Sequence, residues 1–235
     1  MDKKNIQQRI VDVLGDVPVR FEVEDKEYCI YPPTLGRELI LEGLRKKLGI
    51  DPGHAKESPL EEVLRVCADN KDIVLRILAL CTLQGKEALF NEDMINDRIT
   101  AFGDIPPEDL ATLLLTASSN VDIQDFVKYF GIDRDNDNRR EIARLRESDS
   151  YTVTFGGHSI FGGLIDFACA RYGWKPNYVV WGVSLTTLQM LYYDRMETVL
   201  LSKEEFKKAR LKQGGSVINA DDPANMAKIK AMKWD

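Results

Sequence analysis

Residues Ile73 to Leu83 read IVLRILALCTL, a run with a single charge at Arg76. It is too short to cross a bilayer, which takes about 20 apolar residues. It is also apolar on every side, so it predicts a helix buried within a protein core. Such a helix must be surrounded by elements that each offer it one apolar face.

The flanking sequence supplies them. Asn5–Leu14 predicts a short helix with Ile6, Ile10, Val13 and Leu14 on one face. Val17–Val23 alternates apolar and polar residues, Glu24-Asp25-Lys26 reads as a turn, and Tyr28–Tyr31 returns as the second strand of a hairpin. After Pro32-Pro33, Thr34 caps a helix with Leu35, Leu39, Leu41, Leu44 and Leu48 on its apolar side and Gly49 at its end. Asp51–Ser58 reads as a loop, and Ser58-Pro59 opens a helix with Leu60, Val63, Leu64 and Cys67 on one stripe. Pro106-Pro107 opens another through Leu110, Leu113, Leu114 and Ala117. A short helix over Ile123–Phe130 stops at Gly131, and Asp133–Arg146 is a polar linker or exposed helix.

The expected fold is mainly α. It is a helical-bundle-like domain with a small N-terminal β-hairpin, and a second short hairpin is admitted near Phe155. The expected organisation is an N-terminal helix and hairpin over 1–33, a helical region over 34–147, an aromatic-rich helical region over 148–212 and a flexible basic tail over 213–235.

Composition narrows the function. Of the 235 residues, 44% are hydrophobic and 30% charged, a globular balance. The net charge of −6 disfavours general nucleic-acid binding, which needs a basic footprint. Residues 203–235 carry eight Lys+Arg against five Asp+Glu, so the tail is +3 and the rest −9. Cys29, Cys67, Cys81 and Cys169 form no C-x-x-C pair and sit among apolar neighbours, as reduced cysteines do. No signal segment or membrane-spanning run is expected, and the compartment reads as cytoplasmic.

Motifs of catalysis are weak. Asp133-x-Asp135-x-Asp137 begins like a calcium loop, but Asn138 replaces the turn glycine and Arg144 replaces the closing acid. Gly157 and Gly162 have P-loop spacing, but Gly163 stands where the phosphate-binding lysine belongs. Their neighbourhood reads instead as a Gly-Gly turn joining Tyr151–Phe155 to His158–Ile160. His158 with Cys169 would need hydrogen-bond proximity, and Cys169 reads as a helix core position. His54 lies alone in a loop, so the two histidines build no metal site. The reading is a non-enzyme without catalytic residues, metal or cofactor.

The segment Tyr151–Leu201 carries the remaining signal. Tyr172-Gly173 stops one helix, Pro176 opens a short one, Gly182 ends it, and Ser184 caps another. That last helix carries Leu185, Leu188, Tyr192, Met196 and Val199 at helical spacing, with Met190, Leu191 and Tyr193 on a second side. Aromatic and methionine side chains of this kind fill a core or form a partner surface. Trp174, Tyr178, Trp181, Met190 and Tyr193, with Trp234 in the tail, are the candidate partner-binding residues. Ser202-Lys-Glu-Glu205 is a capping box that starts a polar helix, broken by Gly214-Gly215.

Several stretches together resemble bacteriophage tail assembly chaperones, in particular versions from phages and prophages of Bacteroides-type hosts. They are Tyr31-Pro-Pro-Thr-Leu-Gly36, Thr154-Phe-Gly-Gly-His-Ser-Ile160, Leu164-Ile-Asp-Phe-Ala-Cys169, Arg171-Tyr-Gly-Trp174, and Tyr178-Val-Val-Trp-Gly-Val-Ser184 running into Leu188-Gln-Met-Leu191. The likeness covers roughly residues 20–205 and leaves out the tail beyond Gln213. It implies a small helical chaperone of the bacterial host cytoplasm, absent from the mature virion. Such a protein binds the hydrophobic tape measure protein, keeps it soluble and helps recruit tail tube subunits. It implies no nucleic-acid or membrane partner, and it leaves open a homo-oligomer and a longer frameshifted form. An acidic body would suit a basic client. The competing readings are a structural or adaptor protein retained in a tail or connector, and a small enzyme or nucleotide binder using the glycine-rich turn.

Overall fold

The computed structural model describes residues 11–12, 15–118, 123–147 and 158–208. The chain divides into two compact units, Met1–Asp133 with Val153–Met196 and Arg134–Thr152 with Glu197–Asp235. The fold is mainly helical, as expected, with one two-stranded antiparallel hairpin among the described residues.

In the first unit, β1 (Val19–Val23) pairs with β2 (Lys26–Ile30), with Val19 opposite Ile30 and Val23 opposite Lys26. The turn is tighter than expected: Glu24 and Asp25 alone make it, at φ 48° and 63°, and Lys26 is already paired. β1 starts after Pro18, which has no N–H to give a ladder. Phe21 and Tyr28 stack at 5.7 Å, and the Tyr28 ring meets Phe102 edge-on at 5.0 Å. These rings seat the hairpin on the helical core.

The helices follow in order: α1 (Leu35–Arg45), α2 (Pro52–Glu57), α3 (Pro59–Asp69), α4 (Lys71–Cys81), α5 (Lys86–Leu89), α6 (Glu92–Phe102), α7 (Pro107–Ser118) and α8 (Ile123–Tyr129). The apolar run that starts at Ile73 forms most of α4, and Val74, Leu75 and Ile77 through Cys81 are buried in it. It packs against α1, α3, α6, α7 and β2. Leu39 departs from expectation: it is exposed on α1 while Leu35 and Leu41 are fully buried.

The expected loop Asp51–Ser58 contains α2 instead. Asp51 Oδ1 accepts from the backbone N–H groups of Gly53 (2.8 Å) and His54 (3.3 Å), and Pro52 takes the first helical position. That is an N-cap followed by proline, which outweighs the cost of Gly53.

A second, smaller core lies under the aromatic segment. It gathers Leu35, Ala168, Val179, Val183 and Leu188 from α1, α10 (Ile160–Tyr172), α11 (Pro176–Trp181), α12 (Leu185–Tyr193) and the turn before α12. Two caps join this region to the main core. Thr34 caps α1 and Ser184 caps α12, and the two residues form an antiparallel bridge, with the Leu185 N–H donating to Pro33 O at 2.8 Å.

Expectations for this segment need two corrections. Ser159 caps α10 through Gly162 N at 3.2 Å, so His158–Ile160 is a helix start and not a returning strand. Its expected partner Tyr151–Phe155 lies outside the described residues. α12 ends at Tyr193, so Met196 and Val199 follow in irregular chain. Arg195 is the reason: its Nη1 donates to Tyr192 O at 2.9 Å and its guanidinium covers the Tyr192 ring at 4.6 Å, which closes the last turn.

α9 (Ile132–Glu147) carries the Asp133–Arg146 stretch as a helix and not a loop, so Asp133 and Asp137 share one side and Asp135 points to the other. In the second unit Arg139 pairs with Glu197 at 3.5 Å. The capping box forms there as expected and opens α13 (Lys203–Lys208). The Ser202 N–H donates to Glu205 Oε2 at 2.7 Å, and the Glu205 N–H donates to Ser202 Oγ at 3.1 Å. The helix expected over Asn5–Leu14 lies outside the described residues except for Val11 and Asp12, which are helical. Trp234 and the rest of the tail also lie outside them.

Candidate partner-binding groove

The aromatic segment is built as a ladder. Tyr178 meets Trp174 edge-on at 5.5 Å, Trp174 lies against Tyr172 at 5.0 Å, and Tyr172 meets Phe167 at 5.8 Å. Phe167 meets Tyr192 at 5.3 Å, and Tyr192 meets Tyr193 at 5.9 Å. Gly173 makes the first bend possible. It sits at φ 67° as the C-cap of α10, a conformation that costs other residues about 1–2 kcal/mol. The chain therefore turns directly from Tyr172 to Trp174 and lays one ring beside the other.

The lower end of the ladder opens onto an apolar groove of about 500 Å³. One wall comes from α10 and α12 through Tyr172, Met190 and Leu191, and the other from α8 and the start of α9 through Phe126, Phe130 and Ile132. The volume falls within the range of binding clefts, about 300–1,000 Å³. The groove is open: Phe130 is 52% exposed and Met196 85% exposed at its edge. Arg171 and Arg195 stand at the rim with Asp194. Arg171 Nη2 donates to Met196 O at 3.3 Å, so both arginines are tied to the backbone beside the groove.

Of the candidate residues, Met190 and Tyr193 line this groove. Trp174 is half-buried against the smaller core, and Tyr178 is exposed at the far end of the ladder. Trp181 faces elsewhere. Its ring lies over Gly36, where an added Cβ would stand 2.4 Å from the indole, and it meets Phe90 edge-on at 5.7 Å. It is a packing element that clamps α11 to α1 on the main core.

Sequence reading missed the second wall. Phe126 and Phe130 read as part of an ordinary short helix and Ile132 as the residue beyond its stop, and nothing local says that they face residues some sixty positions later. Arg171 and Arg195 were missed for the same reason.

A second groove, of about 830 Å³, runs between α1, α4 and α6 past Ile40, Gly43, Leu44, Ile73 and Phe90. Among the described residues no group of three or more His, Cys, Asp or Glu is placed to hold a metal ion, and no helix is long and apolar enough to cross a membrane. Comparison with protein-family models, with curated proteins and with solved structures finds no match to this chain.

Proposed function

We propose that this chain is a non-enzymatic phage tail assembly chaperone. It binds the tape measure protein in the bacterial host cytoplasm, keeps that hydrophobic chain soluble and helps recruit tail tube subunits. The sequence resemblance names the family, and the observation that supports the role is the open groove between α8 and α12. A long helix-rich client with exposed apolar stripes aggregates when alone. A holder of such a client needs an apolar groove that admits a helix from solution. Phe130 and Met196 keep large apolar surfaces exposed beside a formed cleft, as a receptor for a helix would.

The contact must also be reversible, because tube subunits replace the holder. An open groove whose apolar edges stay exposed, as at Phe130 and Met196, suits a contact that another partner can displace. Co-expression with the tape measure protein tests the reading. The soluble fraction of that protein should rise several-fold; an unchanged fraction rejects the role. Proteomics of purified particles separates this role from a structural one, since the chaperone should be missing from them.

A further inference from the structure

We propose that the groove between α8 and α12 takes an amphipathic helix that carries a carboxylate next to its apolar stripe. The inference rests on the client-holding reading for the kind of partner. The charge rule comes from the rim alone.

The walls are neutral. Phe126, Phe130, Ile132, Met190 and Leu191 offer no hydrogen-bonding group, and Tyr172, Thr187 and Tyr193 add only neutral hydroxyls, so the walls favour apolar side chains and say nothing about charge. Charge selectivity must come from the rim, where Arg171 and Arg195 outnumber Asp194. Arg171 decides the sign. Its guanidinium donates to Met196 O at 3.3 Å and lies 5.9 Å over the Phe167 ring, but it pairs with no carboxylate among the described residues. The backbone bond and the aromatic face fix its direction and leave other N–H groups available. Arginine presents five donors in a planar fork that matches a carboxylate.

This is an exception on a chain whose residues 1–202 carry −9. The acidic body gives acidic partners no long-range attraction, so a carboxylate is rewarded only at close range, beside Arg171. The open form of the groove favours a helix over a single enclosed ligand, because Phe130 and Met196 extend the apolar surface beyond the cleft. The expectation of a basic client therefore does not extend to this groove.

The test uses the full chain and a designed helical peptide of about 18 residues, long enough to hold a helix. The peptide carries Leu and Phe on one face, flanked by Glu in one version and by Lys in the other. Fluorescence anisotropy reads the affinity. The Glu version should bind about tenfold more tightly than the Lys version, and the preference should shrink as salt screens the pair. Arg171→Glu should reverse the preference and favour the Lys peptide. Phe130→Asp, at an exposed position, should weaken both peptides. Equal affinity for the two peptides, or an unchanged preference in Arg171→Glu, overturns the proposal. Loss of both peptides to self-association of the chain through this face overturns it as well. Because the peptides are designed, failure here leaves the tape measure experiment standing, and failure there leaves this result intact.

Discussion

Arg37 is 2% exposed and pairs with no carboxylate among the described residues, and its buried Nε has no partner there, yet its terminal nitrogens are satisfied. Its Nη1 donates to Cys81 O (3.3 Å) and Leu83 O (3.2 Å) at the end of α4, and its Nη2 donates to Tyr31 O. The negative end of the α4 dipole supplies the compensation that a carboxylate would. Burial still lowers its pKa from the ordinary arginine value, partly opposed by Cys81 and Glu38. Arg37→Ala should cost about 3 kcal/mol, because three buried carbonyls lose a charged donor. Denaturant unfolding checks this. Glu62 is the acidic counterpart, 1% exposed. Arg65 donates to it at 2.6 Å, the His54 ring lies at 2.9 Å, and the Asp51 N–H donates at 2.8 Å, which together hold its carboxyl well below the usual range. A carboxyl depressed in the folded state stabilises fully above its unfolded value of about 4.3. That stabilisation is lost as pH falls through the folded value. Thermal melts should therefore show a steep drop in Tm below about pH 4. Glu62→Gln should lower Tm at neutral pH and flatten that drop. A Cβ on Gly36 would strike the rigid Trp181 indole at 2.4 Å. Gly36→Ala should destabilise by about 1–3 kcal/mol, despite the better helix propensity of alanine.

At the scale of elements, the hairpin carries a removable cost. Glu24 and Asp25 both adopt positive φ, and a turn of that kind prefers Asn-Gly. Replacing Glu24 by Asn and Asp25 by Gly should stabilise the chain by about 1 kcal/mol, measured as a shift in the urea midpoint with unchanged m. Capping was the most legible part of the sequence. Thr34, Ser184 and Ser202 cap as read, because a cap is a local hydrogen bond between residues two or three apart. The buried α4 was legible from its composition. The return strand at His158–Ile160 was misread because two glycines suggested a hairpin, while Ser159 held a cap signal. The extent of α12 was misread because apolar spacing continues through Met196 and Val199, although Arg195 folds back on Tyr192 and ends the helix first. The candidate groove was half legible. Met190 and Tyr193 were visible in the aromatic segment, whereas Phe126, Phe130 and Arg171 join them only through tertiary packing.

For the whole molecule, the first unit holds two cores with different tasks. The larger one around α4 is dense and carries the fold. The smaller one under α10, α11 and α12 supports the ladder that ends at the groove. Trp181 clamps α11 onto the larger core. Trp181→Ala should therefore act on stability, at about 3 kcal/mol, before it acts on any partner. The central claim is that a client lies in the groove between α8 and α12. A photo-crosslinking residue placed at Phe130 or at Met196 tests it most directly, with the exposed Leu60 on α3 as the reference position. With the tape measure protein present, crosslinks should form from Phe130 and Met196 and be weak from Leu60. Crosslinks equal at all three positions, or none from the groove while the tape measure protein stays soluble, would contradict the account.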